Sequence, residues 1–517
     1  TMNIIKPLFQ ISGMTLVSRI FGFLRDILIA ACFGAGGIAD AFFVAIKFPN
    51  IFRRILAEGA LNISFVPMFT KKIDNRDTAK KFYREIFNFL FWSLILVVSI
   101  FELLMPSLIY LFAPGFMDSD EKFNLVLDLA RISFPYLFFI SLTSLLCGVL
   151  NSLEKYTLAA SLPILVNLFM ILALFFIFNN GISDTEGAAK ILMSSFLVSG
   201  LAQLLICIYA CQRLGYLPSI HYPKISKNIK DFFKLSFPAM GAGGITQINI
   251  LVGTIIASFE NKAVSYLYYA DRIYQLPLAL IGISIGIVLL PNLSKEIKKN
   301  NSQLIQEIQN KSLELSLILA IPASIGLIYL SNDIIMVLFE RYIFDTTDTI
   351  ATSRVLMIFA LGLPAFVCIK ILQTLYFARE NTSLPMRFAL ISVITNIILS
   401  IILFQYIGYM GIAIATTLSS WLNAILLFRK SIKENFLKIS ASLPKKIFKV
   451  IIVSILMIAF LFTIESYILD INYSFTGIVN FLILLFYIII GIMFYYIVCS
   501  KMAIIKIQDF FNDNKMS

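Results

Sequence analysis

Apolar windows bounded by charged residues, glycine or proline recur along this whole chain and predict about fourteen membrane spans. A helix needs roughly 20 consecutive, mostly apolar residues to cross a hydrocarbon core. The windows fall at 9–33, 40–68, 84–112, 124–151, 157–179, 187–211, 232–258, 263–291, 311–338, 350–378, 384–405, 409–429, 447–468 and 474–499. The loops between them alternate in charge. After even-numbered spans they carry cations: Lys71-Lys72 to Arg84, Glu154-Lys155, Arg213 to Lys234, Lys295 to Lys311, Arg379 to Arg387, and Arg429 to Lys449. After odd-numbered spans they are acidic or neutral: Asp118 to Lys122, Asp184 and Glu186, Glu260 and Lys262, Asp333 to Asp348, Glu465 and Asp470. Lys and Arg collect in cytoplasmic loops. Both termini are therefore expected in the cytoplasm, and the span count is even.

The chain also repeats itself. Phe9-Gln10-Ile11-Ser12 and Phe233-Lys234-Leu235-Ser236 lie 224 residues apart, as do Pro67 and Pro291, Lys71 and Lys295, and Gly187 and Gly411. Six spans per repeat give both copies the same orientation, which relates them by an axis along the membrane normal. The expected fold is an all-α polytopic membrane protein. Residues 1–215 form an N-terminal lobe of spans 1–6, residues 216–435 a C-terminal lobe of spans 7–12, and residues 436–517 hold spans 13–14 and a cytoplasmic tail.

Composition narrows the function classes. Only 14% of the 517 residues are charged and 59% are hydrophobic, whereas soluble domains are about a quarter charged. A net charge of +12 would suggest nucleic acid in a soluble chain; here the loop cations account for it, and no nucleic-acid partner is expected. The single histidine, His221, lies in a polar loop, which excludes a buried histidine triad or histidine metal cluster. Cys32, Cys147, Cys207, Cys211, Cys368 and Cys499 fall in or at the end of apolar spans and read as packing residues. No phosphate-binding glycine loop followed by Lys and no zinc spacing occurs. The expectation is a transporter without cofactor, not an enzyme. Arg19, Arg25 and Asp26 in the first window argue against a cleavable signal peptide.

The chemistry lies in charges within the spans, each of which costs about 3 kcal/mol at mid-membrane and must face protein or water. The first two spans hold Arg19, Arg25, Asp26, Asp40, Lys47, Arg53, Arg54 and Glu58; span 8 holds Asp271 and Arg272, and span 10 holds Lys370. Arg19 and Asp26, seven apart, share a helix face. Pro49-Asn50 interrupts span 2, and a broken helix at membrane depth is tolerated where it lines a cavity. These features predict a water-filled cavity lined with cations. Guanidinium is planar, permanently charged and matched to phosphate. Arg19, Arg25, Arg53 and Arg272 are the candidate substrate-binding residues, and a pyrophosphate is the best-fitting cargo group. Plainer roles stand beside these. Arg53 and Arg54 would anchor a helix end with Lys47 snorkelling, Asp40 would cap span 2, and Glu58 would pair with Arg54. Arg25-Asp26 and Asp271-Arg272 would form internal ion pairs or gates. Lys370 receives no assignment.

At these residues the sequence resembles a known family. Ser18-Arg19-Ile20-Phe21-Gly22-Phe23-Leu24-Arg25-Asp26, Ala39-Asp40-Ala41-Phe42-Phe43, Pro49-Asn50-Ile51-Phe52-Arg53-Arg54, Ala57-Glu58-Gly59-Ala60 and Phe65-Val66-Pro67 resemble the signature of the MurJ/MviN lipid II flippases. Tyr269-Ala270-Asp271-Arg272 and Leu289-Leu290-Pro291 resemble its span 8 pattern. The resemblance implies the fold of the multidrug/oligosaccharidyl-lipid/polysaccharide exporter superfamily, with two six-helix bundles around a cationic cavity and two extra helices. It implies alternating access and lipid II, the undecaprenyl-pyrophosphate-linked disaccharide-pentapeptide, as partner together with membrane lipids. It also implies a monomer in the bacterial inner membrane that serves peptidoglycan biosynthesis, cell-wall biogenesis and cell shape. Arg19, Arg25, Arg53 and Arg272 then serve the headgroup, Asp26 and Asp40 function or gating, and spans 13–14 the polyprenyl tail. Some relatives hold sodium with a span 7 carboxylate. Here Ile250-Leu251-Val252-Gly253-Thr254 has no acid, which leaves Asn396, Ser400 and Thr417 as weak neutral ligands and argues against sodium coupling. A different coupling cation or the membrane potential would then supply the drive. The alternatives are a flippase for another polyprenyl-linked glycan, or a multidrug or metabolite antiporter of the same fold. The latter usually wants an acidic cavity.

Overall fold

A computed structural model describes residues 5–55, 64–223, 225–299, 301–379, 381–467, 477–502 and 504. Helices α1 (Ile5–Phe33), α2 (Gly37–Arg53), α3 (Val66–Thr70), α4 (Arg76–Phe112), α5 (Asp120–Ser133), α6 (Tyr136–Ser152), α7 (Tyr156–Asn179), α8 (Glu186–Arg213) and α9 (Lys227–Ala257) come first. They are followed by α10 (Ala263–Leu278), α11 (Ser284–Lys298), α12 (Ser302–Tyr329), α13 (Ser331–Phe339) and α14 (Thr346–Phe377). The last four are α15 (Ser383–Ile407), α16 (Tyr409–Lys433), α17 (Leu443–Tyr467) and α18 (Gly477–Lys501). Among the described residues, the β-type pairing is one isolated bridge between Arg341 and Phe344.

Many starts are set by side chains that accept the first free backbone N–H groups, a contact worth about 1 kcal/mol each. Asn75 accepts from Thr78, Ser119 from Lys122, Thr185 from Ala188, Ser226 from Ile229 and Asn301 from Leu304. Ten helices among the described residues are long and apolar enough to cross a membrane. The other expected spans are α1, the α2–α3 region, α9 and the α10–α11 region. By length and composition, the described residues alone do not bring the count to fourteen. The breaks answer one another. Past Pro49, α2 widens into π-type turns at residues 54–55; past Pro277, α10 widens into a π-helix at Ala279–Ile283. Arg54 lies 224 residues before Leu278, one residue short of that second π segment.

The contacts divide the chain into two compact units: 1–265 with 341–345, and 266–340 with 346–517. In the first, α1 packs on α7, α2 on α5, α6 on α8, and α4 on α6 and α9. A ladder of buried rings, Phe69 on Phe65 (5.3 Å) and Phe65 on Phe82 (5.6 Å), fills its core. Close approach replaces hydrophobic drive between helices in lipid. A β-carbon at Gly115 would sit 2.3 Å from the Ser258 carbonyl oxygen, and the Gly115 N–H donates to Ser258 Oγ (3.1 Å). At the α1–α2 turn, Gly34 has φ +59°, and a β-carbon there would lie 2.9 Å from the carbonyl oxygen of Ile343. In the second unit α14 packs on α12 and α16, α15 on α16, and the α17–α18 pair on α12 and α13. Val450, Val453, Met457 and Leu461 of α17 meet Tyr487 and Tyr495 of α18 against Ile318 and Ile321 of α12.

Candidate functional site

In the first unit, Arg25 and Asp26 are one assembly. Arg25 donates from Nε (3.0 Å) and Nη2 (2.8 Å) to Asp26 Oδ1, and from Nη1 to Asn167 Oδ1 of α7 (2.9 Å). Asn167 in turn donates to the Ser18 carbonyl of α1 (3.0 Å). The guanidinium is thus fixed by two helices. A charged group held by hydrogen bonds on several edges keeps one orientation, as a recognition residue must. Arg53 donates from Nε to Asn50 Oδ1 (3.3 Å), one turn back on α2. Arg25 and Arg53 both act electrostatically on buried Tyr136 of α6, whose ring stacks on Phe196 at 4.0 Å. Arg19 and Arg54 are exposed. Glu58, with the Ala57–Ala60 string, lies outside the described residues.

Asp40 does not cap its own helix. The N-cap of α2 is Gly36, with no side-chain bond. Asp40, with no solvent exposure, faces the segment that opens α10. Its Oδ1 accepts from Ser265 N (3.0 Å) and Ser265 Oγ (2.6 Å); its Oδ2 accepts from Lys262 N (2.8 Å) and Lys122 Nζ (3.0 Å). Lys122 also donates to Asn261 Oδ1 (3.3 Å) and lies over the Phe116 ring (4.2 Å). One buried carboxylate therefore ties α2, α5 and the start of α10. Seven residues further along α2, Lys47 donates to Thr254 Oγ1 of α9 (3.0 Å) across a small cleft lined by Val44, Phe48, Ile51, Phe112 and Leu251.

In the second unit, Arg272 donates from Nη2 to Tyr268 Oη (2.8 Å) and lies 4.8 Å above the same ring, so one tyrosine holds it by hydrogen bond and cation–π contact. Asp271 accepts from Gln275 on the next turn. Lys370 is exposed on α14, and a β-carbon at Gly282 of the π-helix would lie 3.6 Å from its Cγ. The three neutral sodium candidates are buried. Ser400 donates to Asn396 Oδ1 (3.2 Å), while Thr417 donates to the Ile358 carbonyl of α14 (2.9 Å). No group of three or more His, Cys, Asp or Glu suited to a metal ion occurs among the described residues.

The sequence profile of the lipid II flippase MurJ family matches residues 29–498. The chain belongs to the MurJ family. A probable lipid II flippase MurJ of Rhizobium tropici is 45% identical over 83% of this chain and 80% of that protein. A probable lipid II flippase MurJ of Rickettsia prowazekii is 35% identical over 99% of this chain and 100% of its own length. A solved structure of lipid II flippase MurJ in an inward closed conformation superposes with a TM-score of 0.79 at 27% identity, over 95% of this chain and 99% of that one. An inward-facing multidrug resistance MATE transporter of the MOP superfamily shares the fold, with a TM-score of 0.68 at 15% identity over 82% of this chain and 97% of that one. Like other MurJ-family chains, this is a multi-pass membrane protein. Reading the sequence alone passed over Asn167, Lys122, Ser265, Thr254 and Tyr268. Each is a polar or aromatic neighbour that orients one of the charges already singled out.

Proposed function

We propose that the chain flips lipid II from the cytoplasmic to the periplasmic leaflet of the bacterial inner membrane, as a monomer with both termini in the cytoplasm. This places it in peptidoglycan biosynthesis. The observation that carries this reading is the family match over residues 29–498. The orientation rests on the alternating loop charge. In the proposed cycle, Arg19, Arg25, Arg53 and Arg272 bind the pyrophosphate while the polyprenyl tail stays in lipid along α17 and α18. The two lobes then change which side they open to. The fixing of Arg25 by Asp26 and Asn167 supports the assignment, since an oriented guanidinium needs little further ordering when a phosphate arrives. Asp26 supplies counter-charge when the site is empty. Asp40, through Lys262 and Ser265, is the gating carboxylate. An inside-negative potential favours outward movement of an anionic headgroup by about 2.3 kcal/mol per charge per 100 mV, so the step runs without nucleotide. The test is flipping of labelled lipid II in proteoliposomes. Arg25→Ala and Arg272→Ala should each reduce flipping at least tenfold at unchanged membrane insertion. Full activity in both variants would refute the site. Equal flipping of another polyprenyl-linked glycan would refute the cargo.

A further inference from the structure

The linker between α8 and α9 in the first unit is tied along α4. Arg76 Nη2, at the start of α4, donates to the Leu214 carbonyl (3.0 Å). Further along the helix, the His221 N–H donates to Asn88 Oδ1 (2.6 Å), Trp92 Nε1 donates to the His221 carbonyl (3.0 Å), and the Tyr222 ring stacks on Trp92 at 5.3 Å. The chain then turns back, and Ser226 Oγ (2.7 Å) and Asn228 Nδ2 (2.9 Å) donate to Glu85 Oε2. The crest of this strap is held at the level of Trp92. Trp92 lies 20 residues before Phe112, the last residue of α4, and at 1.5 Å per residue that is about 30 Å, one hydrocarbon thickness. The charged turns of α4, Arg76 to Glu85, come before it. On the crest Leu217, Ile220, Tyr222 and Ile225 are exposed, Tyr222 over 83% of its surface. Beside them Lys81, Arg84, Lys227 and Lys230 are exposed, against the exposed acids Asp77 and Asp231. A strap along a helix does not need such a crest. In the second unit residues 436–440 are bonded along α12 by Gln306 and Asn310, and Ile439 is the one large apolar side chain exposed among those five.

We propose that the α8–α9 linker is an interfacial anchor for anionic phospholipid, with Leu217, Ile220, Tyr222 and Ile225 among the first acyl carbons and Lys81, Arg84, Lys227 and Lys230 on the phosphodiester headgroups outside them. Apolar side chains held at the depth where hydrocarbon begins are covered by lipid without any ordering of a partner, whereas a soluble protein would have to reach them through the headgroups. The Trp92–Tyr222 pair, apolar in its rings and polar at its edges, is suited to the same level. Cations flanking an apolar patch match an anionic leaflet, and each one near such a surface strengthens attachment about fivefold. Because the strap joins α4 to the start of α9, lipid held there fixes the depth of both helices. The leaflet is the cytoplasmic one on the orientation proposed above; the anchor itself follows from depth, exposure and charge.

The test uses the full chain in vesicles of phosphatidylcholine with phosphatidylglycerol. Nitroxide labels at Ile220→Cys and Ile225→Cys, which leave the Trp92–Tyr222 stack in place, are compared with one at Asp74→Cys in the exposed turn before α4, after subtraction of the unsubstituted chain. Collisions with a water-soluble nickel chelate should be at least about fivefold rarer at the crest than at residue 74, while collisions with oxygen are more frequent. Equal chelate access at the two levels would overturn the proposal. Trp421→Phe leaves Trp92 as the sole tryptophan. Brominated phosphatidylglycerol should quench it severalfold more than brominated phosphatidylcholine at equal mole fraction in about 0.05 M salt, and the preference should shrink at about 0.5 M. It should also shrink in Lys81→Gln, Arg84→Gln and Lys227→Gln combined. Equal quenching by the two lipids would overturn the anionic assignment. Crest protection that grows with the protein-to-lipid ratio would do the same, since a second copy would then be the occupant. No readout here uses flipping, so loss of lipid II as cargo and loss of the anchor are told apart.

Discussion

Replacing Asp40 by Asn removes one charge from a side chain that is bonded through both of its oxygens. The carboxylate accepts four hydrogen bonds, one of them from an ammonium, and is fully buried. Asn keeps a single acceptor oxygen, so its NH₂ must face the Lys262 N–H or the Ser265 N–H, donor against donor. Lys122, only 16% exposed, loses its counter-charge. Breaking one partner of a buried ion pair costs about 3–5 kcal/mol, much of it from the charge left behind. Water reaching Lys122 places the expected loss near 3 kcal/mol, about a 100-fold change in an equilibrium constant. Because the cost is mostly the orphaned cation, Lys122→Met in the same background should recover about 1–2 kcal/mol. The assay is hydrogen exchange at residues 258–266 together with thermal unfolding in detergent, as a double-mutant cycle. A loss below about 0.5 kcal/mol for Asp40→Asn, or strict additivity with Lys122→Met, would refute the reasoning.

Three further outcomes follow from single contacts. Asn167→Ala removes the α7 anchor of Arg25 and should lower flipping about tenfold at unchanged expression, since a hydrogen bond to a charged group contributes about 1.5–3 kcal/mol; Asn167→Asp should not restore it, because a second carboxylate would draw the guanidinium from its cargo. Tyr268→Phe keeps the ring under Arg272 but deletes its hydroxyl, so lipid II binding should weaken severalfold, and Tyr268→Ala should weaken it further by removing about 0.5–2 kcal/mol of cation–π contact. Gly115→Ala forces a β-carbon to 2.3 Å from the Ser258 carbonyl and should destabilise the unit by about 1–3 kcal/mol, read as a fall of several degrees in unfolding temperature.

Much of this was legible in the sequence because membrane spans obey simple rules of length, charge and periodicity. The windows anticipated α4, α7, α8, α14, α15, α16, α17 and α18 to within about eight residues at either end. The largest shift is at α4, which starts at Arg76 rather than residue 84 because Asn75 caps it in a polar loop, where hydropathy carries no signal. The Pro49 interruption pointed to irregular backbone in span 2, yet its counterpart in span 8 became visible only as the π-helix after Pro277. The charged residues of the site stood out against apolar surroundings, and their partners did not. Arg25 reaches Asn167 across 142 positions of sequence, and Asp40 reaches Ser265 across 225. Such pairings depend on how helices pack, which periodicity along one helix does not encode. Some signals were nonetheless present: Asn167 is an amide in the middle of an apolar window, Lys122 the lone cation in an acidic loop, and Tyr268 lies one helical turn before Arg272.

Binding of lipid II, compared with the same lipid carrying one phosphate in place of the pyrophosphate, most directly tests recognition by the arginines. The wild-type protein should lose about tenfold or more in affinity when the second phosphate is removed, the scale of one charge-assisted hydrogen bond. In Arg25→Ala that difference should shrink severalfold. Equal affinity of the wild type for both lipids, or discrimination unchanged by the loss of Arg25, would contradict it.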